Sequence, residues 1–256
     1  MKRCLAALLC LALAWASGTA TAADGAGARS YVIGVENTDY YPLSRLDKGK
    51  YTGFARELLD TFAEARGYRF EYRPFPVPRL FANFVQGDVD FKFPDNPYWQ
   101  SDLRRGKNIV YSVAVATYID GAMVRPELAN AGIERVRTLG VVSGFTPWAW
   151  KDAIARGDVT LRENTDIAAL AEQVIAKRVD AAYGSVAVMN YRLDNVLKAP
   201  GALVFNPKLP YSKDQYFLST QKYPEVIREF NDWLRSNGAA VRALKAKYAV
   251  EKGVVQ

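Results

Sequence analysis

The apolar residues of this chain recur at two periods, and the switches between them mark out its elements. Residues 31–35, Tyr31-Val32-Ile33-Gly34-Val35, form a short β-branched and aromatic run that reads as a strand. After a turn-rich stretch through Pro42 and Asp47-Lys48-Gly49, residues 54–65 set Phe54, Leu58, Leu59 and Phe62 on one helical face, with Gly67 as the expected stop. Residues 69–73 alternate as a strand, 77–86 read as a helix around Pro78, and 89–93 as another strand. This β-α-β-α-β order predicts a parallel or mixed sheet covered by helices.

A second series repeats the first. Residues 138–142 predict a strand, 147–156 a helix, and 179–183 a strand. Between them, residues 167–176 carry Ile167, Leu170, Ala171, Val174 and Ile175 at helical spacing. The segments "FANFVQGDVDF" and "AEQVIAKRVDAA" each place a helix, a short turn and Val-Asp before an apolar strand, so two similar α/β lobes are expected. A helix over 224–237 opens on Pro224 and stops at Asn237-Gly238, and 241–248 adds another. No low-complexity linker separates the lobes. The crossings are therefore expected to be short strands, at 113–118 and 202–206, with lobe 1 from 30–115 plus 207–256 and lobe 2 from 116–206.

The N-terminus changes the picture of where this protein works. Lys2-Arg3, the apolar run 4–16 and Ala20-Thr21-Ala22 have the pattern of a secretory signal peptide, residues 1–22, with cleavage after Ala22. The apolar run is short of the roughly 20 residues a spanning helix needs. Leu9 before Cys10 is too bulky for a lipid-attachment site. A periplasmic location is expected. Both cysteines, Cys4 and Cys10, leave with the signal, so folding proceeds without disulfides.

Composition then excludes chemistry. The chain has no histidine, and without Cys or His no zinc site of that type, Ser/His pair or haem axial histidine can form. No metal and no cofactor are expected, and an enzyme here would rely on carboxylates, Lys, Tyr or Arg. Without Lys2 and Arg3 the net charge falls from +7 to +5. That excess is spread without basic blocks, which suits a soluble protein or an anionic small molecule and argues against nucleic acid.

In open α/β sheets ligands collect beyond the carboxyl ends of strands. Those segments here carry Glu36, Asp39, Tyr40 and Tyr41; Pro94, Asp95, Tyr98 and Trp99; Ser143, Gly144, Phe145 and Thr146; and Gly184-Ser185. In "VVSGFTPWAW", Thr146 as N-cap and Pro147 as first helical residue would turn free N–H groups towards the cleft as an anion cradle. Tyr40, Tyr41, Trp99, Phe145, Trp148 and Tyr183 could sandwich an apolar or planar ligand, or a cation.

Taken in order, "YVIGVENTDYYPLSRLDKGKYTGFARELLDTFAEARGY", "GDVDF", "RRGKNIVYSVAVATY", "LGVVSGFT" and "KRVDAAYGS" resemble the bacterial extracellular solute-binding proteins of family 3, the polar amino-acid receptors of ABC importers. The resemblance implies an α/β, two-lobed periplasmic-binding-protein fold of type II, with two hinge strands and ligand held in the cleft. It implies a monomer that captures a small carboxylate-bearing solute, an amino acid or a related compound, for a membrane permease or sensor. The loop at Thr146 would help hold the ligand carboxylate.

In that family an arginine about seven residues before a Phe/Tyr-Ser pair grips the ligand carboxylate. Counting back from Tyr111-Ser112 lands on Arg105, with Arg104 adjacent. The run from Asp90 to Arg105 is longer than usual, and residues 94–99 fill it. The family also places an aspartate after the "VDxxxG" strand to pair with the α-ammonium, where this chain has Ser185. A hydroxyl supplies no countercharge. Either Asp39, Glu36, Asp95 or Asp214 takes over, or the ligand lacks that ammonium. The resemblance extends to periplasmic cyclohexadienyl dehydratase, so the alternative is an enzyme with Glu36, Asp39 or Asp95 as acid; no paired acid-base motif stands out.

Overall fold

The structure, a computed structural model, describes residues 28–254. The expected signal peptide lies outside the described residues. The strands are β1 Arg29–Glu36, β2 Arg45–Asp47, β3 Lys50–Thr52, β4 Tyr68–Phe75, β5 Phe91–Asp95, β6 Val110–Tyr111, β7 Ala116–Val124, β8 Thr138–Val142, β9 Thr160–Asn164, β10 Ala181–Ser185, β11 Val204–Phe205 and β12 Ser212–Thr220. The α-helices are α1 Phe54–Arg66, α2 Val77–Gln86, α3 Lys151–Ala155, α4 Ile167–Ile175, α5 Val186–Tyr191, α6 Pro224–Ser236 and α7 Gly238–Tyr248.

One sheet runs β4-β1-β5-β12-β7-β10-β8-β9, with β6 beside β12 and β11 beside β7. Its two ends are parallel: β1 lies between β4 and β5, and β8 between β9 and β10. Helices pack against each end. In lobe 1, Phe54, Leu58, Leu59 and Phe62 of α1 are fully buried, and Phe62 meets Phe230 of α6 edge-on at 5.0 Å. In lobe 2, α4 buries Ile167, Leu170 and Val174. Trp150 is buried in a separate cluster with Leu139 and Tyr183, and its Nε1 donates to the Pro210 carbonyl at 2.8 Å. Full burial of each such side chain stabilises by about 1.5–3 kcal/mol.

The repeated Val-Asp pair has a structural cause. Asp90 accepts the backbone N–H of Val32 at 2.8 Å, and Asp180 accepts those of Arg137 and Thr138 at 2.9 and 2.8 Å. Each aspartate ties the start of its own strand to the neighbouring parallel strand. For that reason β5 and β10 begin two residues later than expected and run on to Asp95 and Ser185.

Two crossings join the lobes. The first follows β6: Ser112 N donates to Leu218 O at 2.8 Å and Val115 N to Tyr216 O at 2.9 Å, before β7 begins at Ala116. The second departs from expectation. Residues 202–206 do not cross; β11 there pairs with β7 at Val124 and Met123 inside lobe 2, with the Phe205 ring packed over Gly121. The return is β12, which pairs with β7 over Ser212–Tyr216 and with β5 and β6 from Phe217 onward, shifting register between Phe217 and Ser219.

The predicted helix over 147–156 is also corrected. Pro147 has φ −76° and ψ 69°, and Trp148 N donates to Thr146 O at 2.8 Å, an inverse γ-turn. A 3-10 turn at Trp148–Trp150 follows and α3 starts only at Lys151. Thr146 therefore caps no helix, and the N–H expected to face the cleft is consumed in the turn.

Candidate functional site

Side chains alternate across a strand, so cross-strand register decides which residues share a face. Asp120 of β7 lies opposite Ser185 of β10 on one side and Ser212 of β12 on the other, and Tyr118 lies opposite Asp214. Tyr183 and Tyr216 sit at alternating positions on the same face. Lobe 1 brings Glu36 from the end of β1, Tyr40 from the turn beyond it, Pro94 from β5, Trp99, and Val77 and Phe81 from α2. With Phe145 and Thr146, these walls enclose a cavity of ≈ 30 Å³, and a second of ≈ 20 Å³ adjoins it past Trp99, between Asn96 and Asp214. Since one water needs about 10–15 Å³ by such a measure, the lobes are drawn close together.

Direct contacts hold them there. Ser185 N donates to the Tyr40 hydroxyl at 2.8 Å, and Gln100 Nε2 donates to Gly144 O at 3.0 Å. Arg192, just past α5, pairs with the Asp39 carboxylate and donates to its carbonyl. Tyr40 meets Phe145 edge-on at 5.2 Å, and Tyr98 lies 5.6 Å from Trp148.

Beneath the cavity sits a buried ionic cluster. Arg104 donates both terminal nitrogens to Asp95, Nη1 at 2.9 Å, while Ser219 Oγ donates to the same carboxylate. Lys92, 0 % exposed, lies 3.2 Å from Asp95 and donates to Pro94 O at 2.6 Å. Burial would raise the Asp95 carboxyl, but Lys92 and Arg104 more than offset that and hold it below the ordinary range. Burial pulls the Lys92 ammonium down, opposed by Asp95 and Glu36.

Two other acids face the cavity itself. Glu36 is buried, and burial raises its carboxyl, with Lys92 opposing and Asp95 adding to the rise. Asp120 is half-buried, and it lines both cavities. Burial, then Glu36 and Asp214, push its carboxyl up to about 7. No hydrogen-bond donor or cation partners the Asp120 carboxyl among the described residues.

The structure brings Tyr40, Trp99, Phe145 and Thr146 to the cavity wall. Asp95 lies below it, and Asp39 stands at the rim, 49 % exposed and paired with Arg192. Ser185 is 2 % exposed, its N–H held by Tyr40 and its hydroxyl by Tyr216, behind the wall rather than in it. Arg105 is not brought to the cavity: its side chain is 83 % exposed and pairs with Asp102 at 3.0 Å. Sequence reasoning passed over Asp120, Tyr216 and Lys92. The available signal was "ATYIDGAMV", an acid alternating with a tyrosine inside an otherwise apolar strand.

No family model matches the sequence, and none of the curated proteins does. Solved structures do. A histidine kinase sensor domain with similarity to periplasmic binding proteins superposes with TM-score 0.71 at 22% identity, covering 87% of this chain and 96% of its own. The arginine-, lysine-, histidine-binding protein ArtJ from the thermophilic bacterium Geobacillus stearothermophilus gives 0.69 at 19%, over 86% and 95%. An ancestral amino acid-binding protein, a precursor of cyclohexadienyl dehydratase, gives 0.66 at 19%, over 86% and 94%. The fold is thus the two-lobed α/β architecture of periplasmic binding proteins.

Proposed function

We propose that this protein is a periplasmic receptor that closes its lobes over a small polar solute of amino-acid size and presents it to a membrane importer or sensor. The observation that carries this reading is the enclosed cavity at the lobe junction, walled from both sides of a molecule whose halves are joined by two strands. A ligand touching both walls favours the closed arrangement by the difference in its contacts with the two states. Solved proteins of this shape include amino-acid binders and a sensor domain, which suits the same use. Among the described residues no helix is long and apolar enough to cross a membrane.

The test is native mass spectrometry of protein purified without refolding, followed by thermal shift across a library of amino acids, amines and carboxylates. A retained or stabilising solute is expected; a ligand at a hundredfold its Kd adds about 2.7 kcal/mol. A library that leaves the melting temperature unchanged refutes the reading. One observation favours a second reading: Asp120, held to about 7, has the protonation a general acid needs. Incubation with prephenate and arogenate addresses it, and enzymatic turnover of either would replace the receptor with a dehydratase.

A further inference from the structure

The cations around the cavity already have carboxylates of the protein against them. Arg104 and Lys92 face Asp95, Arg192 faces Asp39, and Arg105 lies outside with Asp102. The acids are in excess. Lys92 and Arg104 balance Asp95 and Glu36 in number, which leaves Asp120 as one carboxyl more, and Asp120 and Glu36 both border the cavity. Glu36 is 4 % exposed, and its carboxyl accepts no hydrogen bond among the described residues. Between them stand the aromatic walls of Tyr40, Trp99, Phe145, Tyr183 and Tyr216.

We infer that the cavity selects a small organic ammonium, its charged nitrogen set against Asp120, with Glu36 facing it from the other lobe and aromatic rings around its hydrocarbon body. This rests on the reading of the cavity as the solute site. An ammonium supplies the countercharge that the protein withholds from Asp120, gains a charge-assisted hydrogen bond in an enclosed site, and meets ring faces that attract cations. An anionic head would meet two acids and, among the described residues lining the cavity, no cation.

The groups that face Asp120 are Glu36 from β1, Asp214 and Tyr216 from β12, Tyr183 from β10, Tyr118 on its own strand and Tyr40 from the turn after β1. The tyrosines stay neutral across the neutral range, and burial and the acids push in one direction, so the Asp120 carboxyl stands at about 7 in the closed arrangement. An ammonium binds the ionised form. Apparent affinity then scales with the ionised fraction, and between pH 8 and pH 6 it falls by roughly tenfold. Binding at pH 7 releases about half a proton.

The experiment is calorimetry on the full chain with four probes, putrescine, L-lysine, succinate and L-glutamate, at pH 6 and pH 8, and at pH 7 in two buffers of different ionisation enthalpy. Putrescine or lysine is expected to bind, roughly tenfold tighter at pH 8, with proton release, and Asp120→Asn is expected to abolish the pH dependence and weaken binding tenfold or more. The buffer comparison uses the unaltered protein and stands even if the variant fails to fold. Preference for succinate or glutamate, or ammonium binding that is indifferent to pH and to Asp120→Asn, overturns the inference and leaves the receptor reading intact. If neither these probes nor the wider library bind, both are overturned.

Discussion

Replacing Asp95 by asparagine isolates the ionic cluster under the cavity. The substitution keeps shape and one acceptor oxygen, removes the charge, and turns an amide N–H₂ towards Arg104 or Lys92. Lys92 is left with Glu36 as the acid acting on it, and Arg104 with the Trp99 carbonyl and the Tyr111 hydroxyl. Removing one partner of a buried charge group costs about 3–5 kcal/mol, because the remaining charges lose compensation they cannot recover from water. A chain of this size shifts its midpoint by roughly 2–4 °C per kcal/mol, so a fall of about 6–20 °C is expected. Urea unfolding followed by circular dichroism measures it directly. The loss also has a sign in pH. Asp95 is held below its ordinary value in the folded state, so its contribution is complete above the ordinary carboxylate range and fades as pH drops through the folded value. Wild type and Asp95→Asn should therefore differ most near neutrality and converge in acid. A loss under about 1 kcal/mol would refute the argument that the cluster is a coupled unit. Loss of ligand binding at unchanged stability would instead put Asp95 on the solute.

Asp120→Asn should behave in the opposite way. Its folded carboxyl stands at about 7 against 3.8, so the folded state binds the extra proton and stability declines as pH rises from about 4 to 7. The ligand-free variant should be more stable than wild type at pH 8, by up to about 4 kcal/mol, and equal to it near pH 4; parallel melting curves at both pH values would contradict this. Tyr40→Phe deletes the acceptor of the buried Ser185 N–H across the lobes. An unpaired buried donor costs about 1–3 kcal/mol in the closed state, so solute affinity should weaken by roughly 5- to 150-fold while calorimetric stability of the ligand-free protein changes less; equal affinity would show that this contact does not latch closure.

Much of the fold follows from local pattern, because each lobe is assembled from helices with one apolar stripe and strands with continuous apolar runs. The bounds of α2 and β8 agree with the spacing to the residue, and α1, α4 and α6 to within a residue or two. β12 was hidden because a strand that passes between lobes has no single buried face: Ser212–Gln215 borders the cleft while Leu218–Thr220 lies in the core, and neither half alternates for long. The helix expected over 147–156 starts late because Thr-Pro is a helix-start signal and also the sequence of a γ-turn, and only the N–H of Trp148 decides between them. Spacing to Tyr111-Ser112 points to Arg105 and leaves Arg104 one residue away. Burial separates them, since Arg104 faces the end of β5 and Arg105 faces solvent.

The hydroxyl at position 185 is best understood across the sheet rather than along the chain. The resemblance implies an acid there, and the nearest acid in register is Asp120, on the neighbouring strand directly opposite Ser185. One strand spacing is about 5 Å, so the negative charge has moved sideways by that distance, towards β12 and the chamber past Trp99. Its chemistry changes with its place. On β7 burial raises its carboxyl, with Glu36 and Asp214 adding to the rise and no cation against it among the described residues, whereas an acid at 185 would take the side-chain position from which the Ser185 hydroxyl now meets Tyr216. Below the cavity Asp95 occupies the fork of Arg104. Both features act in one direction: the guanidinium that could receive an external carboxylate is closed, and the acid that could receive an external ammonium is open.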